Sequence, residues 1–153
     1  MKTLIMSVFL SLLLIAGVSC RKEEDRTEIE KKLIEDYIAQ NELNAMSTPS
    51  GLYYVIFEPG TSQRPTSTSV VTVHYTGRLL NGTVFDSTHD FGQPIEISLS
   101  QVIAGWREGL QLFGRGGEGQ LIIPSRLGYG STALPGIPAN SVLVFDIHLI
   151  DFF

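Results

Sequence analysis

Cysteine and lysine are scarce in this 153-residue chain, and each scarcity excludes a class of protein. The only cysteine is Cys20, so no disulfide framework can form within the chain. Residues 50–153 contain no lysine and carry five arginines against eight acidic residues, a net charge of −3. A mildly acidic segment without a basic cluster lacks the electrostatic footprint of a nucleic-acid-binding protein. We therefore expect no nucleic-acid partner.

Long apolar runs are also rare, and the one that exists lies at the N-terminus. Lys2 precedes a nearly continuous apolar stretch, residues 4–18, which is short for a membrane span and typical of a secretory signal peptide. Small residues then precede Cys20, and this arrangement resembles a bacterial lipoprotein signal. Gly17 stands where that signal usually has leucine. We expect residues 1–19 to be a lipoprotein signal peptide and Cys20 to carry the lipid. A plain signal peptide or a short membrane anchor is the alternative.

Residues 20–49 predict a charged tether followed by an amphipathic helix. The tether mixes both signs of charge, as solvated segments do, and residues 22–25 also resemble the signal that sends some Gram-negative lipoproteins to the cell surface. From Thr27 to Met46 apolar residues recur at helical spacing, and Thr27 with Glu30 predicts a capping box. Such a helix must bury its apolar stripe on its own domain or on a second copy of the chain.

Residues 50–153 predict one α+β domain. Alternating or β-branched residues between turn signals predict six strands, over 52–57, 70–78, 83–87, 94–99, 120–123 and 142–150. Only residues 101–113 predict a helix, closed by Gly114. Because a helix of about three turns cannot enclose a sheet, we expect it to fill the concave face of an antiparallel sheet.

Groups for acid–base or nucleophilic catalysis do not assemble into any recognisable motif in this domain. It has no G-x-S-x-G sequence, and the glycines of residues 114–119 lack the G-K-[ST] of a phosphate loop. The three histidines, His74, His89 and His148, are far apart in sequence and lack metal-ligand spacing. We therefore expect no metal and no organic cofactor, and any catalysis must proceed without proton transfer or covalent bonds.

Aromatic residues are concentrated in the segments that border the predicted helix, with Asp86 among them, and this favours a concave apolar pocket with few polar groups. The segments are VHYTG (73–77), NGTVFDS (81–87), VIAGWREGL (102–110), GYG (128–130) and LVFDIHL (143–149). These five motifs, in this order, resemble the FK506-binding-protein family of peptidyl-prolyl cis–trans isomerases. The resemblance covers residues 50–153, and the preceding helix resembles the bacterial envelope branch of that family.

The resemblance implies a half-barrel antiparallel sheet wrapped around one short helix, with a proline pocket whose floor is Trp106. Gly105 would let the chain turn so that the indole lies flat beneath a substrate ring, and the backbone N–H of Ile103 would face the ligand. The implied catalytic residues are Tyr75, Phe85, Asp86, Trp106, Tyr129 and Phe145, and the implied substrate-binding residues are Val102, Ile103, Ile95 and Ile137. Ile95 and Leu134 depart from the family, which often has an aromatic residue and a histidine at those places.

The resemblance implies a peptidyl-prolyl cis–trans isomerase (EC 5.2.1.8) that acts on Xaa-Pro bonds in peptides and unfolded proteins. FK506-type macrolides are candidate ligands, and the departures at Ile95 and Leu134 leave the affinity for them open. The lipid on Cys20 would anchor it to the bacterial envelope, at the outer membrane, on the periplasmic or the outer side. There it would assist the folding of envelope proteins. The alternative is a proline-peptide binding module or chaperone with little turnover, because Ile95 and a shortened rim alter the pocket.

Overall fold

One antiparallel sheet and two α-helices form the protein over residues 24–90 and 92–153, which the computed structural model describes. The elements are α1 (24–40), β1 (Met46–Ser47), β2 (Tyr53–Glu58), β3 (Val70–Leu79), β4 (Val84–Ser87), β5 (Ile95–Ser98), α2 (Ala104–Gly109), β6 (Gly117–Ile123) and β7 (Leu143–Phe152). Short 3₁₀ turns cover Thr88–Asp90, Leu99–Gln101, Leu110–Leu112 and Ser125–Leu127. The predicted signal peptide and Cys20 lie outside this part of the chain, within which no helix is long and apolar enough to cross a membrane.

The strand order β1-β2-β6-β7-β3-β4 confirms the antiparallel sheet expected from the alternating sequence. β7 lies between β6 and β3 and pairs with both. The other edge of β3 is shared, because β5 pairs with residues 70–73 and β4 with residues 76–78. Successive side chains of a strand alternate between the two faces of a sheet, so β3 presents Tyr75 on one face and His74 on the other.

The main core lies between the sheet and α2, and two glycines allow their close approach. A Cβ added to Gly105 would lie 2.5 Å from Cγ2 of Ile123, and one added to Gly109 would lie 2.6 Å from Cδ1 of Leu121. Residues four apart share a helix face, and residues two apart share a strand face. The prediction that Gly105 turns the chain is therefore wrong: it lies inside α2, and its missing side chain makes room for Ile123 of β6.

The helix α1 packs on the opposite face of the sheet, which settles where most of its apolar stripe goes. Ile34 is 1% exposed and joins a second core with Ile122 and Val144. Ile29 and Leu33 remain 61% and 47% exposed. Of the two expectations for this helix, packing on its own domain is therefore the one that the structure confirms.

The predicted boundaries of α1 are wrong at both ends. Residues 24–26 are already helical, so Thr27 lies within the helix and not at the N-cap position that the predicted capping box requires. The helix ends at residue 40, before Glu42 adopts a positive φ of 53°. Met46, predicted to be helical, instead pairs with Tyr54 of β2 as part of the short strand β1.

The single predicted helix over 101–113 is shorter than its pattern suggests. Val102 and Ile103 are extended, with ψ angles of 168° and 151°, so α2 is a six-residue helix between two 3₁₀ turns. Arg107 maintains this shape, because its guanidinium donates to the carbonyls of Leu99 (3.0 Å) and Ser100 (3.1 Å). The charged residue after Trp106 therefore fastens the start of α2 to the preceding turn.

Candidate active site

A cavity of about 220 Å³ opens at the start of α2, on the side of the sheet that carries the main core. Several strands, α2 and the loop between β6 and β7 all contribute to its wall. The lining residues are Tyr75, Phe85, Asp86, Ile95, Ile97, Gln101, Val102, Ile103, Trp106, Tyr129 and Phe145.

Four aromatic rings form one continuous cluster at this cavity, and Phe145 is the centre of it. Its ring centroid lies 5.2 Å from Trp106, 5.6 Å from Phe85 and 6.0 Å from Tyr75. Tyr75 meets Trp106 edge to face, with centroids 4.9 Å apart and an interplanar angle of 86°. Edge-to-face pairs are the geometry that aromatic quadrupoles favour. Each of the four rings is thus in contact with at least one other.

Trp106 is one of the two most buried of these rings: it is 5% exposed, and Phe145 is 4% exposed. Its indole N–H is buried and has no hydrogen-bond partner among the residues described. Buried donors are nearly always paired, so an unpaired one needs an explanation. The explanation we draw is functional: Trp106 lines the cavity, where binding can require a ring position that leaves its N–H without a partner.

The polar edge of the cavity is a phenol bonded to a carboxylate. The Tyr75 hydroxyl donates to Oδ2 of Asp86 over 2.5 Å. Burial, and then this hydrogen bond, raise the pKa of Tyr75 above its ordinary value of about 10. Folding thus favours the protonated phenol, and this contribution to stability is fully present below pH about 10 and is lost at higher pH. At neutral pH the phenol is a donor.

The structure brings together nine of the ten residues implied by the resemblance and leaves one apart. Ile137 does not line the cavity; it is 6% exposed and packs in the main core. Leu134 and Ile137 exchange two backbone hydrogen bonds of 2.9 Å, which turns Ile137 inward while Leu134 stays 38% exposed. Ile97 and Gln101 line the cavity without having been expected to. Ile97 follows Ile95 by two residues in β5, and strand alternation could have identified it.

The three histidines, distant in sequence, lie together on the opposite face of the sheet. They line a groove of about 340 Å³ with Glu118 and Asp146. His74 is the cross-strand partner of His148, and its ring stacks on His89 at 4.9 Å. Nevertheless, no group of three or more His, Cys, Asp or Glu side chains in the described ranges is placed to hold a metal ion. Sequence spacing does not reveal such neighbours, because pairing between strands creates them.

The comparison with protein families identifies the class of this fold. Residues 61–150, more than half of the chain, match the family described as FKBP-type peptidyl-prolyl cis-trans isomerase. The chain belongs to this FKBP-type isomerase family. The aromatic cavity described above lies entirely within the matched residues.

Bacterial FKBP-type isomerases are similar to the chain beyond the family segment. The isomerase FkpA of Aeromonas hydrophila is 45% identical over 132 residues, which cover 85% of this chain and 49% of that protein. The crystal structure of FkpA from Escherichia coli has a TM-score of 0.74 at 36% identity, covering 88% of this chain and 63% of that one. The crystal structure of a peptidyl-prolyl cis-trans isomerase from Pseudomonas syringae has a TM-score of 0.73 at 32% identity. The match covers 84% of this chain and 94% of that one.

The chain spans about half the length of the FkpA proteins that it matches. The similarity nevertheless includes most of the chain outside the family segment, and so supports the expected combination of an N-terminal helix with an antiparallel sheet and one short internal helix.

Proposed function

We propose that the protein is a peptidyl-prolyl cis–trans isomerase that turns over Xaa-Pro bonds in peptides and unfolded proteins. The observation that carries this proposal is the aromatic cavity, which is walled by four mutually packed rings and has a single phenol–carboxylate pair at its edge. Such a cavity suits a flat apolar ring attached to a backbone amide.

The physical basis of catalysis is the loss of amide polarity during rotation. An uncatalysed Xaa-Pro bond isomerises over about tens to hundreds of seconds, because rotation breaks the C–N partial double bond. The twisted transition state is less polar than either planar amide. A dry aromatic cavity therefore binds the twisted state better than the planar one, which is the condition for catalysis.

Individual side chains would supply orientation and local dipoles. The proline ring would rest on Trp106, which fixes one side of the rotating bond. The Tyr129 hydroxyl would hold a substrate carbonyl, and the backbone N–H of Ile103 would face the bound peptide. Asp86, held by Tyr75, would orient the dipoles around the rotating carbonyl. Each of these roles is proposed from the family pattern and from the position of the residue at the cavity.

A protease-coupled isomerisation assay tests the proposal directly. The full chain, purified in detergent, would be added to Xaa-Pro peptides with and without FK506. Acceleration abolished by FK506 supports both the activity and the cavity, and acceleration that resists the drug keeps the activity but assigns altered drug binding to the wall near Ile95. Folded protein that binds proline peptides without accelerating them contradicts turnover and leaves the binding module or chaperone.

The rate of isomerisation is expected to change little across roughly pH 6 to 8, because no step transfers a proton. The raised pKa of Tyr75 keeps its phenol protonated throughout this range. The measurement is kcat/KM at constant ionic strength with a pH-insensitive coupling protease. A bell-shaped profile centred in this range would contradict a mechanism based on desolvation and orientation alone.

The location proposed for this activity is the bacterial envelope, with a lipid on Cys20 as the anchor. The support is the N-terminal sequence, in which an apolar run and small residues precede the single cysteine. Labelling with a radioactive fatty acid tests the anchor: Cys20→Ser should abolish labelling, and labelling that persists rejects it. Protease treatment of intact cells then distinguishes the cell surface from the periplasmic side, because only surface-exposed protein is degraded.

A further inference from the structure

A buried carboxylate of α1 is bonded to the loop that carries Tyr129. Glu30 is only 5% exposed. Its Oε2 accepts the backbone N–H of Ser125 at 2.8 Å, and its Oε1 accepts the Ser125 hydroxyl at 2.5 Å. A buried carboxylate is costly unless it is hydrogen-bonded, and hydrogen bonds to a charged acceptor are the stronger kind. Both oxygens of Glu30 are therefore committed to one residue of the loop.

Ser125 in turn fixes the backbone on both sides of Tyr129. Its carbonyl oxygen accepts the N–H of Gly128 at 2.9 Å and the N–H of Gly130 at 2.8 Å. Gly130 also accepts from the N–H of Asn140 at 2.8 Å, which closes the loop before β7. The position of Tyr129, which is 38% exposed and lines the cavity, thus depends on where Ser125 is held.

A second connection links the N-terminal segment to the other side of the cavity. The Arg126 guanidinium donates to the carbonyl of Ser50, whose hydroxyl donates to Glu108 of α2 at 2.7 Å. Glu108 lies two residues after Trp106, in the same helix. Residues that precede the matched family segment therefore contact both the loop of Tyr129 and the helix of Trp106.

We propose that Glu30 is a positioning residue for the pocket: α1 holds the loop between β6 and β7 through Ser125 and so sets the place of Tyr129. The inference rests on the proposed isomerase function. Without this anchor the loop samples other positions, and Tyr129 is less often available to hold the substrate carbonyl. This contact is made in the bound ground state as well as during rotation, so its loss raises KM more than it lowers kcat.

The experiment compares Glu30→Ala and Glu30→Gln with a matched control, Glu28→Ala, in the full chain in detergent. Glu28 is an exposed residue of the same helix. We expect KM for an Xaa-Pro peptide to rise about three- to tenfold in Glu30→Ala, the effect of losing one hydrogen bond to the substrate, with kcat within about twofold. In Glu30→Gln only one side-chain oxygen remains as an acceptor, although that oxygen can accept two hydrogen bonds. Its KM should therefore lie between the KM of the control and that of Glu30→Ala.

Two further readouts separate positioning from general destabilisation. In a Tyr129→Ala background, Glu30→Ala should no longer change KM, because the residue through which it acts is gone. Hydrogen exchange of the Gly128 and Gly130 amides should accelerate in Glu30→Ala while amides of β3 and β7 keep their protection. Ser125→Ala removes the hydroxyl but keeps the backbone bond, so it should give a smaller effect of the same kind.

The outcomes distinguish this inference from the function on which it rests. If the wild-type protein does not accelerate isomerisation, the proposed function fails, and amide exchange of the loop still decides whether Glu30 anchors it. If the wild type is active and Glu30→Ala changes neither KM nor exchange of the loop, the inference is overturned. Additive effects of Glu30→Ala and Tyr129→Ala on KM overturn it as well. If Glu30→Ala does not fold, Glu30→Gln and Ser125→Ala decide the question with the same readouts.

Discussion

Replacing Asp86 by valine should lower kcat/KM by about 10- to 150-fold, since a hydrogen bond to a charged group contributes about 1.5–3 kcal/mol. Among the residues that the structure describes, Asp86 is the only carboxylate that lines the cavity. The substitution leaves the Tyr75 hydroxyl without its acceptor and removes the charge that orients dipoles near the rotating bond. The measurement is kcat/KM in the protease-coupled assay.

The controls for this variant separate charge from fold. Asp86→Asn keeps an acceptor for Tyr75 and should lose less activity than Asp86→Val. Asp90→Val changes another exposed aspartate, which does not line the cavity, and should leave the rate unchanged. Asp86 is itself exposed, so losing its bond to Tyr75 should lower the melting temperature only modestly, and the variant should stay folded at the assay temperature. Unchanged activity in folded Asp86→Val would mean that the carboxylate has no part in catalysis.

Gly105→Val should give a large loss of stability, about 1–3 kcal/mol, or roughly 2–12 °C in melting temperature. A Cβ at this position would lie 2.5 Å from Cγ2 and 2.8 Å from Cδ1 of Ile123. Ile123 is fully buried, and the interior of a protein is close-packed, so its side chain can yield only by displacing other core atoms. The helix must therefore move away from β6, and because it carries Trp106, kcat/KM should fall too. Thermal unfolding and the isomerisation assay measure the two effects.

Ala104 provides the matched control for the clash, because it lies in the same helix but is exposed. Ala104→Val should cost only the small difference in helix propensity, about 0.7 kcal/mol or less. A double-mutant cycle with Ile123→Ala identifies the cause, since truncating Ile123 removes every atom in the predicted clash. If the losses in the free energy of unfolding are strictly additive in Gly105→Val/Ile123→Ala, the valine does not clash with Ile123. That result would contradict the packing described here.

Local patterns in the sequence predicted the parts of the fold that depend on local chemistry. Alternation along residues 70–78 identified β3, which extends one residue further, and Asn81 with Gly82 marked the turn that follows it. The helix α2 was predicted too long because its start depends on Arg107, whose guanidinium binds carbonyls of the preceding turn. Helical spacing cannot report that contact.

The contents of the site were predictable to the extent that they follow family motifs. The rings of Tyr75 and Trp106 lie in such motifs, and the structure places both in one cavity. Ile137 was predicted to close over the pocket, but a pair of backbone hydrogen bonds with Leu134 turns its side chain into the main core. The bond between Glu30 and Ser125 joins residues that are remote in sequence, and no pattern around either residue indicates the other.

The central place of β7 has a consequence for how the protein reaches its own native state. β7 joins β6 on one side and β3 on the other, and β3 comes much earlier in the chain. Neither half of the sheet is complete until this strand has found both partners, so much of the core depends on contacts between distant segments. Topologies dominated by such contacts fold on the scale of about milliseconds to seconds, whereas helical bundles need about microseconds to milliseconds. A protein proposed to hasten a slow local step in other chains must itself complete a slow, non-local search.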